Sequence, residues 1–167
     1  MMKEQIKDTL YSVAEEVLEK LAFIFSFPED ERDQIDFDSA VAARVSFIGP
    51  FKGTLVMIVS TQALPELTGN MLGLENNEET TTEQQYDAVK ELINVICGNL
   101  LPSIAGKETV FNVDPPEIVK YTDDVLKPFS AENGKPAEPA SVARLDLDEG
   151  ECDLFLFVDG QLPESAD

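Results

Sequence analysis

One stretch of the sequence places a carboxylate and an amide at helical spacing, and these groups are the strongest candidates for chemistry. Four residues follow one another at intervals of four, three and four: Asp87, Glu91, Asn94 and Gly98. On an α-helix this spacing confines them to an arc of about 60°. The apolar residues of the same stretch recur on the other side, at Val89, Leu92, Ile93, Ile96 and Leu100. The pattern therefore predicts that the four polar and small residues face solvent.

The residue types suit the recognition of another molecule. Glu91 can pair with a basic side chain of a partner, and Asn94 carries both a donor and an acceptor, so it can hold a water molecule in a fixed orientation. Gly98 removes bulk one turn further along and lets a foreign surface approach, although it costs about 1 kcal/mol of helix stability relative to alanine. A solvated helix face is also polar without any function, and spacing alone leaves that alternative open.

Composition narrows the chemistry that this pair could serve. The 167 residues include no histidine and two cysteines, Cys97 and Cys152. The commonest general base is therefore missing, no metal site is expected, and two free thiols are favoured over a disulfide. No glycine-rich phosphate loop or nucleophile elbow occurs. Any chemistry must run on carboxylates, amides and hydroxyls, or on groups that a partner supplies.

The net charge of -21 is large for a chain of this length. It argues against nucleic acid or an anionic membrane as a partner. It leaves two alternatives, a basic protein partner or solubility alone. No apolar run is long enough for a membrane span, and the first residues do not form a signal peptide, so a cytoplasmic protein is expected. The length predicts a single domain over residues 1–160, with a frayed tail over 161–167.

Helical periodicity predicts three helices, over residues 3–25, 62–72 and 83–104. The proline in Phe27-Pro28 is expected to end the first of them. Thr82 and Gln85 have the spacing of a capping box at the start of the third helix, and Gly106 has the place of its C-terminal cap. Pro102 predicts a kink or an early end near Leu101.

Two predicted hairpins, over residues 36–59 and 140–158, repeat each other. Ala43–Phe47 is matched by Ala143–Leu147, and Leu55–Val59 by Phe155–Val158, at the same offset of about 100 residues. Short strands are predicted over 108–121 and a long loop over 127–139. Because each hairpin follows a long helix, the repeat predicts an α+β fold with pseudo-twofold symmetry. Its antiparallel strands form one sheet with the two long helices on one face. Chance similarity between two amphipathic hairpins is the alternative.

The segment from Asp87 to Asn99 resembles the signature helix of the CheC/CheX family of chemotaxis phosphatases. In that family an Asp or Ser is followed four residues later by Glu and three later by Asn, and Gly-Asn commonly follows. A proline twenty-odd residues beyond the Asn completes the pattern, and Pro115 and Pro116 fall close to that distance. The resemblance implies a CheC-like fold over most of the chain.

The first long helix carries a partial copy of the same pattern. Ser12 and Glu16 match the family's Ser and Glu, but Glu19 stands where the Asn belongs. An ionised glutamate cannot donate a hydrogen bond, and it places negative charge where a phosphoryl group must sit. The resemblance therefore implies a degenerate site on the first helix and one working site on the second, which is the arrangement of CheX.

The resemblance implies dephosphorylation of the phospho-aspartate of a CheY-like response regulator. Asn94 would orient the attacking water, Glu91 would pair with a lysine of the regulator, and Asp87 and Gly98 would be supporting contacts. The regulator would supply its own Mg²⁺, and this chain would need no cofactor. Two other functions stay open: a non-catalytic module, like the flagellar switch proteins, that binds a regulator or assembles with partners, and a sensing domain. An exposed strand edge could support a homodimer.

Overall fold

The computed structural model describes residues 3–75, 78–119 and 139–159. Almost all of the predicted 127–139 loop and the whole predicted tail lie outside these ranges. The described part contains three α-helices: α1 (Lys3–Ala22), α2 (Leu64–Leu72) and α3 (Thr82–Ala105). It also contains seven strands: β1 (Phe27–Pro28), β2 (Ala40–Ile48), β3 (Lys52–Ser60), β4 (Asn112–Val113), β5 (Glu117–Val119), β6 (Ser141–Leu147) and β7 (Gly150–Asp159).

All of these strands belong to one antiparallel sheet, as the sequence predicted. The strand order is β1-β6-β7-β3-β2-β4, and β5 also pairs with β2. The two hairpins, β2–β3 and β6–β7, therefore lie side by side, and β3 pairs with β7 at the centre of the sheet. Short strands flank each outer side of this central group, with β1 beside β6 and both β4 and β5 beside β2.

The repeat is real, but its offset is not constant. Val45 lies opposite Leu55 in the first hairpin, and Leu145 lies opposite Cys152 in the second. The offset is therefore 100 residues in the first strand of each hairpin and 97 in the second strand (152 minus 55). Between matched strand positions, the connection between β6 and β7 is therefore three residues shorter than the connection between β2 and β3, and the predicted constant offset of about 100 did not include this difference. The predicted match of Leu55 with Phe155 was wrong, because these side chains lie on opposite faces of the sheet.

The sheet has one face covered by helices and a second apolar face. On the helical side, strand residues such as Leu55, Met57 and Leu154 pack in one cluster with helical residues such as Leu10, Leu18 and Leu92, all fully buried. The second face holds a smaller cluster of buried residues: Ile35, Ala42, Val56, Ile58, Phe155 and Phe157. Long helices on one face of an antiparallel sheet are the predicted α+β arrangement.

α3 is long and apolar enough to cross a membrane by length and composition, and no other helix in the described ranges is. Half of its most apolar window is buried inside the protein. It also packs against α1, β2 and β3. These contacts are those of a core helix, and core helices of folded domains commonly pass such a test because their apolar stripe is wide.

α1 ends earlier than its sequence pattern predicted. Phe23 adopts a left-handed backbone with φ +54°. Its amide bonds the Glu19 carbonyl at 3.1 Å, and the Ile24 amide reaches back to the Leu18 carbonyl at 3.2 Å. The left-handed Phe23 and the bond from its amide to Glu19 form an αL cap, which closes the helix at Ala22. Pro28, which was expected to end the helix, lies in β1 instead, opposite Leu145.

A buried ion cluster lies on the sheet face away from the helices. The Asp153 side chain is fully buried, and its two oxygens accept hydrogen bonds of 2.6 Å from Arg32 and from Arg144. Arg32 also pairs with Asp146 at 2.8 Å. The cluster ties the segment before β2 to the β6–β7 hairpin. Arg44, which the repeat aligns with Arg144, pairs instead with an exposed glutamate on β5.

Candidate functional site

The start of α3 is set by a capping box, one residue earlier than predicted. The Thr81 hydroxyl accepts a hydrogen bond from the Gln84 amide at 3.1 Å, and the Gln84 side chain accepts one from the Thr81 amide at 2.9 Å. The prediction of Thr82 and Gln85 was wrong by one residue. Three consecutive threonines offer the same capping chemistry, so the choice among them depends on how the helix packs. Gln85 instead donates to the Thr80 hydroxyl at 2.9 Å.

The buried face of α3 orients the rest of the helix. Its predicted core residues are all fully buried: Val89, Leu92, Ile93, Ile96 and Leu100. Ala88, Cys97, Leu101 and Ile104 extend this face. The predicted outward row is exposed along its whole length: Asp87, Glu91, Asn94 and Gly98. The structure confirms the predicted orientation, because the apolar stripe is buried and the polar row is exposed.

The outward side chains differ in whether they already form hydrogen bonds or ion pairs with other residues of the chain. Asp87 pairs with Lys90 at 3.4 Å, one turn along the same helix. The side chains of Glu91 and Asn94 make no hydrogen bond or ion pair with any other described residue. Side chains three positions apart on a helix are neighbours, with Cβ atoms about 5–6 Å apart. The helix therefore presents one carboxylate and one amide together, with their polar atoms available to another molecule.

Open space surrounds the next position along this row. An added Cβ at Gly98 would meet no atom within 4 Å outside its own helical turn and neighbours. Pro102, one turn further, does not end the helix, which continues to Ala105 and closes at Gly106 with φ +98°. Of the two outcomes predicted for Pro102, the early end near Leu101 was wrong, and the kink stays a prediction. Pro102 lacks the amide that would bond the Gly98 carbonyl, but Gly98 is exposed, so water can satisfy that carbonyl.

α1 presents the partial copy of this row to solvent. Ser12, Glu16 and Glu19 are all exposed. Glu16 accepts a hydrogen bond from Lys20 at 2.5 Å, and this bond is the main cause that raises the pKa of Lys20. The position equivalent to Asn94 holds a carboxylate instead of an amide. The first helix thus shows three acidic or hydroxyl groups and no amide in this row, and one of its carboxylates already has a partner.

A groove that the sequence did not reveal adjoins the outward row of α3. It lies between the N-terminal half of α3 and β5, and Asp87 belongs both to the groove and to the row. Pro116, one of the two prolines near the family distance, is half-buried in its wall, and Pro115 is exposed. Tyr86 also lines it. The tyrosine at the matching position of α1, 75 residues earlier, is the sequence signal that could have drawn attention to Tyr86.

The chemistry open to this surface is positioning rather than activation. Within the described ranges, no group of three or more His, Cys, Asp or Glu side chains is close enough to hold a metal ion. Cys97 and Cys152 are free, as expected, and both are buried. Burial raises the pKa of both thiols, that of Cys97 to about 12. Neither is a nucleophile near neutral pH, because only the thiolate reacts. Glu91 and Asn94 can orient a water molecule and bind a basic group.

Comparison with known proteins gives a family match that includes this helix. The family model "Chemotaxis phosphatase CheX" matches residues 41–132, which span the first hairpin, α2 and α3. The matched residues are just over half of the chain. No curated protein sequence matches it.

Solved structures with the same fold cover nearly the whole chain. A CheX structure from Vibrio vulnificus has a TM-score of 0.70 and 15% identity, covering 95% of this chain and 99% of that one. A CheX structure from Desulfovibrio desulfuricans has a TM-score of 0.68 and 18% identity, covering 93% and 99%. A CheX-CheY-BeF3-Mg complex from Borrelia burgdorferi has a TM-score of 0.64 and 16% identity, covering 92% and 97%. At these identities the likeness establishes the fold.

Proposed function

This chain belongs to the CheX family of chemotaxis phosphatases, and we propose that it hydrolyses the phospho-aspartate of a CheY-like response regulator. The proposal is finer than family membership, because it assigns a reaction and a working surface to this chain. It places the protein in the cytoplasm, where response regulators act. The Borrelia burgdorferi relative forms a complex with CheY, which supports a regulator as the partner here.

In the proposed reaction, water attacks the phosphorus and the bond between phosphorus and the aspartyl oxygen breaks. The products are inorganic phosphate and the free aspartate of the regulator. The regulator contributes the phosphoryl group and its bound Mg²⁺. Phosphoryl transfer depends mainly on positioning and charge stabilisation, so a phosphatase of this kind needs no base and no metal of its own. This requirement fits a chain without histidine.

The side chains of α3 divide the work. Asn94 accepts a hydrogen bond from the attacking water through its amide oxygen and holds the water in line with the scissile bond. Glu91 pairs with a lysine beside the regulator's phosphorylation site and fixes the docked orientation. Asp87, already paired with Lys90, contributes to the rim of the contact. Gly98 keeps the helix surface low where the regulator approaches.

The observation that carries the proposal is the exposure of Glu91 and Asn94 side by side on a rigid helix, without partners among the described residues. A packed helix fixes the backbone positions of both residues, so only their side-chain rotamers must be ordered when a partner binds. On α1 the corresponding row lacks the amide and has Glu16 paired with Lys20. The two halves therefore differ at the positions that the reaction would use.

Asn94→Ala tests the catalytic assignment. We expect the rate of phosphate release from the acetyl-phosphate-charged regulator to fall by about 10²-fold or more, because water positioning contributes several kcal/mol, while regulator affinity stays within about twofold. Glu19→Ala, at the matching position of α1, is the control and should leave the rate unchanged. An Asn94→Ala protein with the wild-type rate would remove Asn94 from the mechanism.

Glu91→Ala tests docking. Its affinity for the regulator should fall about tenfold or more, since a charged partner group would lose its pair. Glu16→Ala, the equivalent change on α1, should bind normally.

A wild-type protein that binds the regulator without speeding phosphate release would instead favour the alternative function, a non-catalytic regulator-binding module. A homodimer also remains a proposal, which sedimentation can test.

A further inference from the structure

The groove beside the N-terminal half of α3 has a volume of about 550 Å³ and is open to solvent. Residues from α3 and from the segment around β5 form its walls, among them Tyr86, Asp87, Lys90, Pro116, Glu117 and Ile118. Because Asp87 also belongs to the row that holds Glu91 and Asn94, the groove is continuous with the proposed site. A protein that docks on that row would therefore lie next to the groove.

The first half of the fold contains an equivalent groove, which makes a direct comparison possible. It lies beside α1 and has a volume of about 410 Å³. Five of its lining residues match lining residues of the α3 groove at a constant offset of 75: Lys7, Asp8, Tyr11, Ser12 and Glu15 match Thr82, Glu83, Tyr86, Asp87 and Lys90. Pro28 on β1 takes the place that Pro116 has beside β5.

The two grooves differ in what the tyrosine contacts. Tyr11 is only 8% exposed, and its hydroxyl donates to Asp30 and accepts from the Arg144 amide at 2.9 Å. Lys7 closes over the same carboxylate, with its amine 3.0 Å from Asp30. In the α1 groove, the polar atoms of Lys7, Tyr11 and Asp30 are therefore already paired with one another. Its tyrosine joins the helix to the sheet.

Tyr86 has the same place in the fold but no such role. It is 37% exposed, and its hydroxyl makes no hydrogen bond with any other described residue. A partly exposed tyrosine in a concave surface, surrounded by Pro116 and Ile118, has the composition of a contact hot spot, because tyrosine offers a large rigid area at low entropic cost. The tyrosine hydroxyl is therefore hydrogen-bonded within the protein in the first half of the fold, at Tyr11. In the half that holds the proposed site, the Tyr86 side chain is available to another molecule.

The charges around the groove indicate what it would accept. Glu83 and Asp87 stand at the helical wall, and the whole chain carries a net charge of -21. Lys90 is paired with Asp87, and Glu117 with Arg44, so Glu83 is left as the unpaired charge in that wall within the described part. An aromatic face next to carboxylates favours a lysine or arginine side chain, whose stem packs on the ring while its head approaches the acids.

We propose that this groove is a second contact for the response regulator, in which a lysine or arginine from the receiver surface beside the phosphorylation site lies over the ring of Tyr86. The inference rests on the proposed function and extends it, because it adds a docking residue outside the catalytic row. Tyr86 acts on binding and not on the reacting atoms. The equivalent groove on α1 does not offer the same contact, because Tyr11 is buried and its hydroxyl is bonded to Asp30 and to the Arg144 amide.

Tyr86→Ala is the test, with initial rates of phosphate release measured against regulator concentration. KM should rise about tenfold while kcat stays within twofold. Tyr86→Phe, which keeps the ring, should stay within about threefold of wild type in both. Val110→Ala is the matched control, since Val110 is 79% exposed beyond the opposite end of α3, and it should change neither. An unchanged KM in Tyr86→Ala would overturn the proposal, and so would an equal loss in Tyr86→Phe.

Two further measurements keep this result separate from the catalytic assignment. A direct binding titration with the beryllofluoride-loaded regulator should show the same tenfold loss for Tyr86→Ala, whether or not hydrolysis is fast. Wild-type affinity in that titration overturns the groove proposal alone. Asn94→Ala in the same rate assay reports on the proposed function independently. Urea unfolding of each variant checks that the fold is intact, as expected for changes at exposed positions.

Discussion

Replacing Gly98 by alanine should raise the stability of the protein and lower its activity. A substitution that merely disrupts the fold would lower both, so the two opposite changes together point to a specific role for this position. An added Cβ would meet nothing within 4 Å, so the methyl group creates no clash within the folded chain. Alanine is favoured over glycine in a helix interior by about 0.8–1.0 kcal/mol. For a chain of this size that gain raises the melting temperature by about 2–4 °C.

The same methyl group projects from the outward row, into the space that a docked regulator would occupy. A displacement of about 1 Å at a reacting centre can cost about 10²-fold in rate. We therefore expect kcat/KM for phosphate release to fall by about 10- to 100-fold, which corresponds to about 1.4–2.7 kcal/mol. Thermal unfolding and single-turnover phosphate release on the same preparation measure both effects.

Gly69→Ala is the matched control for this experiment. Gly69 also lies in a helix, α2, and an added Cβ there meets nothing within 4 Å. Its stability gain should be similar, while phosphate release should not change. Wild-type activity in Gly98→Ala would refute the argument that the regulator needs clearance at this position. A loss of stability would refute the assignment of open space around Gly98.

Two further predictions concern the fold. Asp153→Ala leaves Arg32 and Arg144 without their buried partner and should lower the free energy of unfolding in urea by about 3–5 kcal/mol. The control Glu117→Ala breaks an exposed pair and should lower it by less than about 1 kcal/mol. Equal losses in the two variants would contradict the role of burial. Burial, assisted by the hydrogen bond to Asp30, raises the pKa of Tyr11 from 10.0 to about 12. Because the pKa of Tyr11 is higher in the folded state than in the unfolded state, the hydroxyl makes its full contribution to the free energy of unfolding below pH 10. That contribution is lost as the pH rises from 10 to 12. The difference in unfolding free energy between wild type and Tyr11→Phe should shrink over that range, and a constant difference would show that the hydroxyl does not titrate in this way.

Local and periodic features could be predicted from the sequence because they depend on near neighbours along the chain. The apolar stripe of α3 is visible as a spacing of three and four, and that spacing alone places Glu91 and Asn94 on the outside. The hairpins were visible as alternating and β-branched runs. Their repeat indicated a single sheet with pseudo-twofold symmetry, which the fold has.

Other features depended on residues that are distant in the sequence. The capping threonine was misplaced by one residue, and the helix passed through Pro102, because packing of the buried face outweighs local preference. The 97-residue offset of the second strands follows from a shorter connection, and only strand pairing reveals it. The Asp153 cluster joins residues more than a hundred positions apart, so no local pattern announces it.

The sequence by itself determined which side of α3 faces water and which chemical groups stand there, since helical geometry converts spacing into direction. Tertiary structure alone decided that Tyr11 is enclosed and Tyr86 is open. Both tyrosines have the same place in the repeat, and the difference comes from Asp30 and Arg144, which the fold brings to one of them and not to the other. Long-range packing therefore assigns different surroundings to two positions that the sequence makes alike.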